Sequence, residues 1–293
     1  VSPLDLAARA VSAIASLATL AVAFVPLERV FPARAAQRIG RAALHVDLVF
    51  FAGQYLVWTS VSVALLSWTR DALGVPVVAE IERALSSVPR WLVGVVAVVL
   101  GDVSVYWFHR ACHRFDFLWR FHAVHHSARE LDWVAAHREH PFDGILTQLL
   151  QNLPAILLAF PLGAIGWLAA FRGLWAIFVH SNARLPLGPL RWVLGAPELH
   201  HWHHAKVRRT VHNFANLAPW LDWVFGTHHA PEGPETYELG LDEPAPEGYL
   251  GLLVHPFTAR ADAAEPIGAE RDQKSLIFQA PRSRTSAIEL PEP

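Results

Sequence analysis

The sequence predicts an all-α integral membrane protein, with about four to five membrane helices capped by a histidine-rich helical domain. Three observations predict it. Several apolar runs of about twenty residues are each long enough to cross a bilayer core. Hydrophobic residues make up 53% of the 293-residue chain and charged residues 17%, against about 45–50% and about 25% in soluble domains. Histidines recur at offsets of three and four, so that each set shares one helix face: His109 with His113, His122 with His125 and His126, and His200 with His203 and His204. The net charge of −2 gives no electrostatic footprint for nucleic acid. The single cysteine, Cys112, excludes a disulfide framework and a cysteine zinc site.

The first apolar segment, from Leu6 to Val25, reads as a spanning helix. A cleaved signal peptide is the competing reading, with Ala33-Arg34-Ala35 resembling a cleavage site. It is disfavoured by the missing basic start and by Arg29, Arg34, Arg38 and Arg41 directly after the segment. Those arginines assign the following residues to the cytoplasmic side. Val46 to Trp68 is a second span, and Arg70 to Arg90 a mixed-charge connection on the opposite side. Trp91 to Phe108 is a third span, and it contains Asp102. A carboxylate there is costly and points to function. Asp102, Tyr106, His109 and His113 lie at offsets 0, 4, 7 and 11, on one stripe. Two readings stay open for Asp102: it holds the ring N–H of a ligating histidine, or it partners a polar group across a helix interface.

Arg110, Arg114, Arg120, Arg129 and Arg138 accompany the histidines after this span and again indicate cytoplasm. Pro141 ends the pattern after His140. Gly144 to His180 reads as a membrane hairpin interrupted by Pro154, Pro161 and Gly163, with Arg172 inward or snorkelling and His180 returning to the histidine side. The expected organisation is membrane helices over 1–95, a histidine-bearing catalytic region over 96–230 including the hairpin at 144–180, and a C-terminal extension over 231–293. That extension is expected to be disordered beyond about residue 258, where apolar residues are too few to build a core.

Imidazole suits iron, zinc, copper and nickel. So many converging rings exceed what one four-coordinate ion takes, which predicts a two-metal centre. The motifs H-x3-H (His109, His113), H-x2-HH (His122, His125, His126) and H-x2-HH (His200, His203, His204) carry a resemblance. So do LWRFHAVHHS, REHP, HSN at His180–Asn182, HN at His212–Asn213 and DWVFGT at Asp222–Thr227. Over about residues 95–230 the chain resembles the fatty acid hydroxylase / sterol desaturase superfamily of integral membrane non-haem diiron enzymes.

The resemblance implies a cytosolic histidine-rich domain in which two iron ions, replaceable by zinc in purified protein, use O2 as co-substrate to oxidise an unactivated C–H bond of a fatty acyl, sterol or alkyl lipid drawn from the bilayer. Hydroxylation ranks ahead of desaturation. With no flavin, haem or dinucleotide motif in the chain, electrons are expected from a separate reductase or electron carrier. The ligand set it implies is His109, His113, His122, His125, His126, His180, His200, His203 and His204, with His140 a weaker candidate and His137 weaker still. Some members carry a further histidine where this chain has Ala176, a place for His140, Asn182 or water to fill. His201, about 100° off the face of His200 and His204, is expected outside the ligand set, as are His212 and Asn213. Two other classes compete: a membrane zinc hydrolase, disfavoured because H-E-x-x-H is missing, and a metal-binding or metal-transport protein, disfavoured because transport ligands sit at mid-membrane and these lie beyond helix ends.

Overall fold

Helices supply the regular structure of residues 3–160, 162–206, 209–231 and 233–258, the residues described by this computed structural model. Among them there is no β-strand, only two isolated bridges, Pro32 to Ala183 and Ala205 to Leu239. Four helical stretches are long and apolar enough to cross a membrane: Leu6–Val30, Leu44–Leu73, Arg90–Arg114 and Gly163–His180. The protein is thus an all-helical, multi-pass membrane protein.

α1 (Pro3–Val30) runs past Pro26, a residue that membrane helices tolerate. α2 (Leu44–Gly53) passes through a π-helical turn, Gln54–Trp58, into α3 (Thr59–Leu73). In that turn the Gln54 carbonyl accepts both the Thr59 N–H, the i to i+5 bond of the wider turn, and the Thr59 hydroxyl at 2.8 Å. Gly74, at φ 77°, ends α3 and starts the short connecting α4 (Val75–Ala84). α5 (Arg90–Arg114) begins after Pro89 and stops at extended Phe115, so that α6 (Asp116–His126) sets off in a new direction. α7 (Pro141–Leu157) and α8 (Leu162–His180) form the hairpin, turning at Ala159, which has φ 57°. α9 (Pro197–His203) and α10 (Trp220–Val224) are short, and α11 (Tyr249–Thr258) lies in the C-terminal extension. The expected disordered tail beyond residue 258 lies outside the described residues.

Side chains such as Val22, Trp91 and Trp167 face outward from the spans, where lipid rather than water would meet them. Inward, α3, α5, α7 and α8 share a core through Leu66, Val93, Ala97, Ile156 and Ile165. α11, which the sequence reading did not place, packs Leu252 against Val46, Phe50 and Val124 on α2 and α6. A buried charge network ties the loop after α6 to α2. Arg41 donates to Asp132 at 2.6 and 2.8 Å and to Asp47 at 2.5 Å, and Arg138 donates to Asp47 at 2.5 Å.

Candidate metal centre

The histidines are delivered by the last turns of three helices and by one short helix. α5 ends in His109 and His113, α6 in His125 and His126, α8 in His180, and α9 carries His200 and His203, with His204 just beyond. Their ring nitrogens gather in two groups among the described residues. His109, His113, His122, His126 and His203 form one, and His125, His180, His200 and His204 the other, the nitrogens of each lying within 4.8 Å of one another. The groups adjoin: the rings of His126 and His204 stack at 4.3 Å.

The outer ring nitrogens show which nitrogen of each imidazole carries the proton. His109 Nδ1 donates to the Phe214 carbonyl at 2.8 Å and His203 Nδ1 to the His212 carbonyl at 2.8 Å. His125 Nδ1 donates to the Arg138 carbonyl at 3.1 Å and His180 Nδ1 to the Ala176 carbonyl at 2.6 Å. His122 Nδ1 donates to Asp143 Oδ2 at 2.8 Å. Each of these rings therefore presents a bare Nε2 lone pair inward. Buried Nε2 of His109 and of His203 has no hydrogen-bond partner. His125 Nε2 and His180 Nε2 face each other at 2.9 Å, although neither has a proton to share. Two lone pairs so close repel unless a cation lies between them and their neighbours. His180 to His200 and His200 to His204 repeat the spacing at 2.9 and 3.1 Å. Two nitrogens each about 2.1 Å from one ion and at right angles to each other are about 3.0 Å apart, so these spacings fit a shared metal.

Burial also keeps the rings outside the spans neutral. It lowers His125 to about 4 and His203 to about 3, and holds His126, His200 and His204 well below the ordinary histidine value, with neighbouring imidazoles adding to the effect. Neutral imidazole is the ligating form, so these rings suit a metal better than a proton.

The remaining candidate residues stand elsewhere. His140 joins neither group. Its Nδ1 accepts the Phe142 N–H at 3.1 Å as the N-cap of α7, and its Nε2 donates to the Leu253 carbonyl at 3.3 Å. Pro141 at the first helical position commits the preceding residue to this capping role. His137 donates from Nδ1 to Gln54 Oε1 at 2.7 Å, away from both groups. Asn182 is engaged with the Arg34 backbone at 2.8 and 3.3 Å, so neither it nor His140 takes the place opposite Ala176. Asp102 does not hold a histidine ring. It accepts from Arg172 at 2.9 Å and from the Ala218 N–H at 2.8 Å, which makes it the helix-interface partner of the two readings.

His201 lies outside both groups, between Glu235 at 2.8 Å and the Ser181 carbonyl at 3.1 Å. His212 takes part through its carbonyl, which receives His203. Asn213, at φ 58°, donates to the Leu199 and His229 carbonyls at 2.8 and 2.7 Å and so fixes the loop beside α9. Sequence reasoning missed Asp143, among the described residues the one carboxylate that receives a clustered ring, although an acid in an apolar hairpin is the same signal that singled out Asp102. It met Asp222 only as part of the DWVFGT phrase and gave it no role; Asp222 accepts from the Phe214 and Ala215 N–H groups at 2.8 and 3.1 Å and so holds the loop that receives His109.

Comparison with known proteins agrees with this architecture. Residues 94–227 match the model of the fatty acid hydroxylase family. The chain is 33% identical over 195 residues to the ornithine lipid hydroxylase OlsE of Rhizobium tropici, covering 66% of this chain and 58% of that protein. It is 30% identical over 139 residues to human alkylglycerol monooxygenase, covering 47% of this chain and 31% of the relative. It is 30% identical over 142 residues to a putative Delta(7)-sterol-C5(6)-desaturase of Arabidopsis thaliana, covering 46% of this chain and 47% of the relative. The chain thus spans less than two thirds of the length of each of these relatives. No solved structure matches it. Residues 94–227, which carry all of the clustered histidines, thus match the fatty acid hydroxylase family, and the chain is similar to members of the fatty acid hydroxylase / sterol desaturase superfamily.

Proposed function

We propose that this protein is a non-haem diiron oxygenase that hydroxylates an unactivated C–H bond of a membrane lipid. The observation that carries this is the meeting of bare imidazole lone pairs at 2.9 Å, as between His125 and His180. His109, His113, His122, His126 and His203 hold one iron, and His125, His180, His200 and His204 the other. Bound there, the two irons supply O2-dependent oxidation of the C–H bond, with electrons from a separate reductase or carrier. The residues do the positioning. Backbone carbonyls and Asp143 fix which nitrogen faces inward, and burial keeps proton and water competition low. The spans let a lipid reach the centre laterally from the bilayer, and the arginines that follow the first and third spans favour the cytoplasm for the histidine side. The relatives' names point to ornithine lipids, alkylglycerols and sterols as substrate classes.

Protein from cells grown on iron-57 should give the Mössbauer signature of a coupled iron pair, and lose it in His180→Ala and His200→Ala, each of which leaves the four-ring group with three rings. Under 18O2 with a competent reductant, the lipid product should carry the label. Product labelled from water would instead support a hydrolase, and a purely unsaturated product a desaturase.

A further inference from the structure

A cavity of about 310 Å3 lies between α3, α7 and α8, within the size range of small-molecule sites. α3 and α7 run the same way along it. Gln54 meets His137 at one end, and Leu66 packs with Ile156 and Ile165 at the other. Along α7 it extends from Pro141 to Asn152, about 16 Å at 1.5 Å per residue. Most of its wall is apolar. The end with His137, Glu139 and Gly144 abuts the supports of both histidine groups. Arg138, next to His137, receives His125 on its carbonyl, and Asp143, next to Gly144, receives His122.

His137 supplies a second, independent observation. It is buried, and its Nδ1 donates to Gln54 Oε1 at 2.7 Å. The ring proton is thereby fixed on Nδ1, which leaves Nε2 as a bare acceptor, and that buried Nε2 has no partner. Burial also lowers the His137 pKa to about 4, so the ring does not acquire a second proton near neutrality.

We propose that this cavity receives one hydrocarbon chain of a bilayer lipid whose head offers a hydroxyl or amide N–H to His137 Nε2. The inference builds on the lipid-oxidation reading and narrows its substrate class. A lipid with a donor beside the chain satisfies His137. One whose head carries only acceptors sets oxygen lone pairs against the Nε2 lone pair and is discriminated against.

Gly166 lines the far end of the cavity, and a Cβ added there meets nothing within 4 Å. Gly166→Phe therefore blocks the chain path without displacing backbone. The test measures saturable binding of tritiated 1-O-hexadecylglycerol to the iron-loaded protein in detergent micelles. Unlabelled competitors are its di-O-methyl derivative, N-methylpalmitamide and N,N-dimethylpalmitamide. In wild type the methyl-capped compounds should compete roughly tenfold more weakly than their donor-bearing parents, and the two parent compounds separate a hydroxyl from an amide requirement. His137→Phe should erase that ratio, and Gly166→Phe should abolish saturable binding while iron content stays unchanged. Ala169→Phe serves as the blocking variant if Gly166→Phe fails to load iron. Capped compounds competing as well as their parents in wild type, or binding that survives the blocking variant, would overturn the proposal. Binding as expected with no product from 18O2 would uphold the cavity assignment and sink the oxygenase reading.

Discussion

The two histidine groups differ in number and in support. The first has five rings, and three of its outer nitrogens are tied: His109 to Phe214, His203 to His212, and His122 to the carboxylate of Asp143. The second has four rings, of which only His125 and His180 are tied, both to carbonyls. Nδ1 of His200 and of His204 is buried without a partner. A ring that donates to an anion is a stronger base toward a metal than one that donates to a carbonyl. The comparison teaches that an all-imidazole centre can still be asymmetric, with the asymmetry written in the surrounding hydrogen bonds.

The largest test of that contrast removes one ring from each group. His180→Ala leaves three rings and is expected to lower iron from two per chain to one, whereas His113→Ala leaves four and should retain both irons after gel filtration, as read by elemental analysis. Equal losses would break the comparison. Next in size, Asp143→Asn should weaken iron binding about 10–100-fold in chelator competition, with one of the two irons affected more. A uniform change in both would remove the special place given to Asp143.

A smaller effect concerns pH. In the metal-free protein, His125 is lowered from 6.5 to about 4 and His203 to about 3 by burial. The unfolded chain therefore binds protons first, and stability present above pH 6.5 is lost as pH falls toward 4 and then 3. Melting of the metal-free protein in micelles at pH 7.5, 6 and 5 should show a steady decline, and a flat profile would contradict it. The smallest effect is expected at Cys112, whose thiol lies 3.8 Å from Asp143. Cys112→Ala should leave iron content unchanged, because the five-ring group does not call on it. Loss of iron there would enlarge the first group.

The spans were legible because hydropathy and helix length are local properties, as was the sharing of a helix face by each histidine set. Gathering His125 with His180 and His200 depends on loops between helices; the number of histidines in the sequence predicted a two-metal centre, and the family resemblance was what put His180 among its ligands. What stayed hidden is set by contacts distant in the chain. Asp102 meets Arg172 and the Ala218 N–H only after the hairpin closes, and nothing within its own helix distinguishes that from a bond to a histidine. His140 looked like a ligand by residue type, but its position before Pro141 made it a cap. α11 was obscured by its Pro- and Glu-rich approach, and only the α2–α6 groove that buries Leu252 gives it a place.

The bond from His109 Nδ1 to the Phe214 carbonyl has a consequence for biosynthesis. That carbonyl is presented by a loop which Asp222 anchors, some hundred residues after His109 and beyond the span that ends at His180, the last among the described residues. Chains emerge from the ribosome N-terminus first. The four described spans are therefore made, and available to the insertion machinery, before His109 acquires its proper tautomer. A nascent chain can hold its early histidines in place only loosely. On the proposed function, metal capture is expected to come late in maturation, and truncation before Asp222 should yield a protein that inserts into membranes yet cannot be metallated.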